Sequence, residues 1–160
     1  MQKVTVLCVG KLKEKFYLDA AAEYAKRLSR YCKLEILELP EERLPEDPSP
    51  AQIQAALERE AATIRSRIAP GALVVALCIE GQLYSSEELA GRMARWAAQG
   101  AGQLVFVIGG SCGLHPEVKA RAAERLSMSP MTFPHHLARV MLLEQIYRAY
   151  QINTGGKYHK

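Results

Sequence analysis

The residues able to do chemistry crowd into the last third of the chain, in LSMSPMTFPHHLARVMLLEQIYRAY over positions 126–150 and in KYHK at 157–160. Pro130 and Pro134 hold the backbone extended, because proline fixes φ and disfavours helix in the residue before it. A helix therefore begins near His135 or His136 and runs to about Ile152. On it, Arg139 shares a face with Leu143, Ile146 and Tyr150 at helical spacing. An unpaired buried charge is costly, so this arginine is either a paired or snorkelling structural group or one aimed into a pocket. His135, Tyr158 and His159 are candidates for moving or orienting a proton. Tyr158 and His159 also sit between two lysines, a composition that can stack on and bind RNA, against the default of a fraying terminus. Adjacent His135 and His136 are expected to point to different sides of the helix, and the four histidines show no metal-ligand spacing.

A second cluster, Gly109-Gly110-Ser111-Cys112-Gly113, follows the apolar run LVFVI. Glycines at a strand end let the backbone approach a ligand and aim N–H groups at it. The spacing is neither G-x-G-x-x-G nor a P-loop. It does match G-x-S-x-G, the nucleophile elbow of serine hydrolases, with Ser111 as the serine. That chemistry needs a later acid and then a histidine. The only aspartates, Asp19 and Asp47, come before Ser111, and just 49 residues follow it. The elbow is the weaker reading.

The elements that must position these clusters alternate regularly. Lys3–Val9, Leu34–Leu39, Ala72–Ile79 and Leu104–Ile108 read as strands, and the alternation at Leu126–Ser129 adds a short fifth. Helices are expected over Phe16–Tyr31, from a Ser49/Gln52 capping box to Ile68, from a Ser85/Glu88 capping box to Gln99, and over Pro116–Arg125. Glu80-Gly81-Gln82 reads as a turn, and 40–50 as an acidic, proline-rich loop. Such alternation implies one domain over 1–160, an α/β fold with a three-layer, mostly parallel sheet whose ligand loops gather at the strands' carboxyl ends.

Composition narrows the partners. No apolar run is long enough for a membrane span and no signal-peptide pattern is seen, so a cytoplasmic protein without membrane contact is expected. The four cysteines have no C-x-x-C pair, and three lie in apolar surroundings as reduced core residues. Net charge is +4, but residues 1–118 carry 14 Lys/Arg against 15 Asp/Glu, whereas 119–160 carry 7 against 2. The positive excess around the chemical cluster points to a polyanionic partner. The last helix is apolar nearly all round, which calls for cover on several sides and so for a second copy of the chain.

Taken together, FVIGGSCG, LSMSPMTFPHHLARVMLLEQIYRAY and the terminal KYHK closely resemble the RlmH family of ribosomal RNA methyltransferases, in the SPOUT or alpha/beta-knot superfamily. VGKLKEKFY and IEGQLYSSEELA extend the resemblance over essentially the whole chain. It implies methyl transfer from S-adenosylmethionine to N3 of a pseudouridine in 23S ribosomal RNA of the large subunit, with no metal. It also implies a homodimer and a C-terminal trefoil knot, which composition alone would never give. By motif match the cofactor contacts fall on Leu77, Gly109, Met128, Ser129, Pro130, Met131, Thr132 and Phe133, and the catalytic candidates are His135, Arg139, Tyr158 and His159. Three strand-end loops thus converge, and their apolar residues suit an adenine slot. Relatives often carry Asp or Asn where this chain has Ser111-Cys112. The alternative of a different class is a non-catalytic, ribosome-associated RNA-binding dimer, which has no reason to bind S-adenosylmethionine.

Overall fold

Five short apolar segments dictate the architecture. The computed structural model describes residues 1–160. Strands β1 (Lys3–Val9), β2 (Lys33–Leu39), β3 (Leu73–Leu83), β4 (Gln103–Ile108) and β5 (Glu124–Ser127) form one sheet in the order β2-β1-β4-β3-β5. Every pairing is parallel. Because side chains alternate along a strand, Val4, Val6 and Cys8 enter one core and Leu7 and Val9 the other. Both faces are covered, which is why β1, β3 and β4 read as continuous apolar runs.

Helices α1 (Lys15–Leu28), α3 (Ser86–Ala98) and α5 (His135–Asn153) cover one face, where Leu28, Met93, Trp96, Leu142 and Ile146 pack on Phe106 and Leu104. Helices α2 (Pro50–Ser66) and α4 (Pro116–Arg121) cover the other, with Ile64 and Val118 against Val105 and Val107. The capping boxes at Ser49/Gln52 and Ser85/Glu88 both form. No helix is long and apolar enough to cross a membrane. From β1 the chain moves outward to β2, whereas from β4 it crosses β3 to reach β5. The carboxyl ends of β1 and β4 therefore flank a topological switch point, beside the carboxyl-end loops of β3, β4 and β5.

Three local expectations fail, two of them for tertiary reasons. The helix expected to reach Arg125 stops at Arg121, because Glu124–Ser127 pairs with β3 instead. Glu124 is held there by Arg92 at 2.7 Å, and edge pairing overrides helix propensity. Glu80-Gly81-Gln82 is no strand-ending turn. β3 continues to Leu83, and Leu77 and Gln82 both face Leu126, so residues 78–81 bulge from the sheet. Gly81 is needed there, since a Cβ would lie 2.8 Å from the backbone of Arg125 and Leu126. Finally, α1 ends at Leu28, short of Tyr31.

Arg139 is 1% exposed, on the same face as fully buried Leu143 and Ile146. Its guanidinium donates to Glu38 Oε2 at 2.6 Å and to the carbonyl of Gly10 at 3.0 Å. Glu38 Oε2 also accepts from the N–H of Leu12 at 2.9 Å. One ion pair thus joins the start of α5 to the ends of β1 and β2. Burial acts to raise the Glu38 carboxyl, but the bonds from Leu12 and Arg139 outweigh it and hold it below the ordinary carboxylate range. Arg139→Ala removes a fully buried side chain and its bonds to Glu38 and Gly10, and is expected to cost about 3 kcal/mol in urea unfolding. The exposed Arg121 is the control, and an Ala substitution there is expected to change stability by less than about 0.5 kcal/mol.

Candidate active site

A cleft of ≈ 800 Å³ opens at the carboxyl ends of β3 and β4. Three segments wall it: the β3 bulge from Leu77 to Glu80, the glycine loop from Gly109 to Gly113, and the loop from β5 into α5. Seven of the eight expected cofactor residues line it: Leu77, Gly109, Met128, Ser129, Met131, Thr132 and Phe133. Pro130 does not; it is exposed. That loop is shaped by its own serines. Ser127 Oγ donates to the carbonyl of Ser129 at 3.1 Å, and Ser129 Oγ accepts from the N–H of Met131 at 3.0 Å. Met131 is 73% exposed at the mouth, an apolar side chain left for a ligand to cover. The bulge contributes wall residues that sequence reading missed, among them Glu80, which is paired with Lys119.

The glycine loop is built differently from the expectation. A Cβ on Gly109 would lie 2.4 Å from the carbonyl oxygen of Gly113, so Gly109 is required first by the loop's own closure. Gly113 takes φ +79°, and no non-glycine residue has a positive φ, so Ser111 lacks the strain of a nucleophile elbow. Its hydroxyl donates to Glu41 Oε1 at 2.8 Å and touches no histidine. The hydrolase reading fails on both counts.

Among the catalytic candidates, only His135 reaches this cleft. Contrary to the expectation that they diverge, the rings of His135 and His136 lie 4.0 Å apart. His135 lines the cleft, while His136 lines the neighbouring groove at Gly10 and lies against Tyr17. Burial first, then the neighbouring His136, lowers the His135 pKa below the ordinary imidazole value, with Glu41 opposing. A neutral imidazole on the cleft wall is a competent proton acceptor. Arg139 does not face the cleft; its guanidinium is spent on Glu38 and Gly10, the paired alternative left open by sequence.

Tyr158 and His159 are elsewhere, and they are not frayed. Tyr158 donates to Glu144 Oε1 at 3.0 Å and stacks edge-on to Tyr147. His159 meets Arg148 at 3.1 Å and Glu87 at 2.6 Å. Burial and the Glu144 carboxylate raise the Tyr158 pKa, so the docked phenol stays protonated. The docking site lies at the rim of a second cleft of ≈ 460 Å³, between α1, α3 and α5. No local sequence signal foretold this, since the partners are set by α5 and α3.

The family model described as "Predicted SPOUT methyltransferase" matches residues 2–159. The chain belongs to the SPOUT methyltransferase family. It is 50% identical over 157 residues to the Ribosomal RNA large subunit methyltransferase H of Bifidobacterium animalis subsp. lactis (strain AD011), covering 98% of this chain and 99% of that protein. Two solved structures share the fold at low identity. A probable methyltransferase from Bordetella pertussis Tohama I aligns with TM-score 0.58 and 18% identity over 93% of this chain and 96% of that one. A probable methylase family protein from Haemophilus influenzae Rd KW20 aligns with TM-score 0.55 and 14% identity, over 98% and 70%. Within this SPOUT chain the glycine loop makes the sharpest local demand. Gly109→Ala must push Gly113 away, and the expected cost is about 1–3 kcal/mol of stability, read by denaturant unfolding. Full stability in that variant would mean the loop is not closed as described.

Proposed function

We propose that this enzyme methylates N3 of a pseudouridine in 23S ribosomal RNA of the large subunit, acting as a homodimer whose C-terminal third is knotted. One observation carries the proposal: 50% identity, over nearly both full lengths, to a large-subunit ribosomal RNA methyltransferase. As a SPOUT methyltransferase the chain uses S-adenosylmethionine. The cleft fits that group, with a volume in the range of cofactor sites, an apolar lining from Leu77, Met128 and Phe133, and backbone N–H and C=O groups in the glycine loop. The bound cofactor supplies an electrophilic methyl carbon.

The chain's residues supply the rest. Leu77, Gly109, Met128, Ser129, Met131, Thr132 and Phe133 hold and orient the donor, and Pro130 acts only by stiffening their loop. His135, neutral at pH 7, takes the N3 proton, since the protonated imide nitrogen is a poor nucleophile. Arg139 acts as a positioning residue, through Gly10 and Glu38. Tyr158 docks on Glu144, nine residues up α5 from His135 and roughly 14 Å along the axis, away from the histidine it would act with. Apart from the ring contact with Tyr147, the contacts of Tyr158 and His159 are polar and exchangeable, and the proposed dimer assigns the tail to the partner's cleft. Exposed Phe16 and Leu18 on α1 favour such a dimer. The knot is supported by β5, last of the strands, pairing with β3 under the bulge at Gly81.

Large-subunit particles lacking the modification, incubated with methyl-labelled S-adenosylmethionine, are expected to gain one methyl group on a pseudouridine, located by mass spectrometry of RNA fragments. His135→Ala should lower the rate about 100-fold. Because a base must be deprotonated and burial lowers the His135 pKa, the wild-type acid limb should lie below the ordinary imidazole value and vanish in that variant. Deleting Tyr158–Lys160 should abolish transfer while leaving cofactor affinity unchanged. Mixing the truncated chain with His135→Ala should restore part of the activity on subunit exchange. Zero recovery despite proven exchange would place both groups in one subunit's site, and label on another base would overturn the substrate.

A further inference from the structure

Glu41 lies on the loop between β2 and α2, outside the three segments that wall the cofactor cleft. Its Oε1 accepts two hydrogen bonds from the glycine loop, from the N–H of Ser111 at 2.9 Å and from Ser111 Oγ at 2.8 Å. The adjacent Gly110 makes room for it: a Cβ there would lie 2.6 Å from Glu41 Oε1. On the far side, a Cβ on Gly10 would lie 3.4 Å from Glu41 Oε2 and 3.4 Å from His135 Cε1. The carboxylate therefore fills the junction of the glycine loop, the end of β1 and the start of α5.

We propose that Glu41 is a positioning residue of the methyl-donor site, a latch that pre-orders the glycine loop for the ligand. The proposal rests on reading the cleft as that site. It gives a use to two features that the transfer reaction leaves idle, the Ser111 hydroxyl and the missing Cβ of Gly110. The physical gain is entropic. A loop with Gly109, Gly110 and Gly113 is costly to order, and ordering it before the ligand arrives removes that cost from binding. Burial acts to raise the Glu41 carboxyl, but the two bonds from Ser111, with His135 and His136 nearby, outweigh it and keep the group ionised as an acceptor.

Calorimetry with S-adenosylhomocysteine tests the latch on the full chain. Glu41→Ala is expected to weaken binding about tenfold, and Glu41→Gln, whose amide oxygen can accept the same bonds, by less than about threefold. Gly110→Ala should resemble Glu41→Ala, because its methyl group displaces the carboxylate. The double variant should bind no more weakly than Glu41→Ala alone. A further loss in the double variant would show that the new methyl meets the ligand itself, and overturns the latch. So does wild-type affinity in Glu41→Ala. Hydrogen exchange at the Ser111 amide without ligand gives an independent readout: Glu41→Ala should accelerate it while thermal unfolding stays near wild type. Unchanged exchange overturns the latch even if wild type binds the ligand well, whereas no binding by wild type overturns the reading of the cleft. Should Glu41→Ala fail to fold, Ser111→Ala removes one of the two bonds and is expected to show an intermediate loss; wild-type binding there, together with unchanged Ser111 exchange in Glu41→Gln, overturns the latch.

Discussion

A guanidinium is costly to bury unpaired, and Arg139, whose two terminal nitrogens are bonded while its Nε has no partner, meets that constraint in a way that organises the functional end of the molecule. Its partners come from two strands: the Glu38 carboxylate at the end of β2 and the Gly10 carbonyl just past β1. Satisfying them fixes where α5 starts relative to the sheet. That in turn puts His135 on the cleft wall and the β5–α5 loop opposite the glycine loop. Glu41, three residues beyond Glu38, then falls within reach of Ser111. One buried arginine, paired with a partly exposed carboxylate, thus sets the registry on which the cleft and its loops depend.

Parallel topology does the rest. Loops at the carboxyl ends of β1, β3, β4 and β5 are forced to the same edge, although they come from residues about 120 apart in sequence. The bulge in β3 serves the same end. It lifts Cys78, Ile79 and Glu80 out of the sheet to form a wall, at the cost of pairing that Gly81 keeps small by letting two backbones touch. Apolar side chains at the mouth, Met131 and Ile79, stay exposed in the isolated chain, as expected for surfaces completed by ligand or partner.

Much of this was legible in the sequence. Periodicity gave β1, β4 and the capped helices, because both sheet faces are covered and local signals agree with the final packing. The segment from Met128 to Phe133, singled out by its motif, lines the cleft at every position but Pro130. What failed were features decided by distant partners. Whether Arg139 was paired or pocket-facing turned on Glu38, 101 residues away. β5 replaced the end of a helix because the edge of β3 was free, and the tail found Glu144, Arg148 and Glu87 once α5 and α3 were side by side. Gly109 was expected to make room for a ligand, whereas its nearest constraint is Gly113. Glu41 had no local signal beyond an acidic loop.

The ≈ 800 Å³ and ≈ 460 Å³ clefts meet at Leu126–Met128 but are otherwise walled by different segments, which offers the most direct test. Hydrogen exchange with and without S-adenosylhomocysteine, resolved by peptide, should show protection confined to Leu77–Glu80, Gly109–Gly113 and Met128–His135, the segments that wall the ≈ 800 Å³ cleft. Protection centred instead on Ser85–Leu89 and Val140–Gln145, around the ≈ 460 Å³ cleft, would contradict the account.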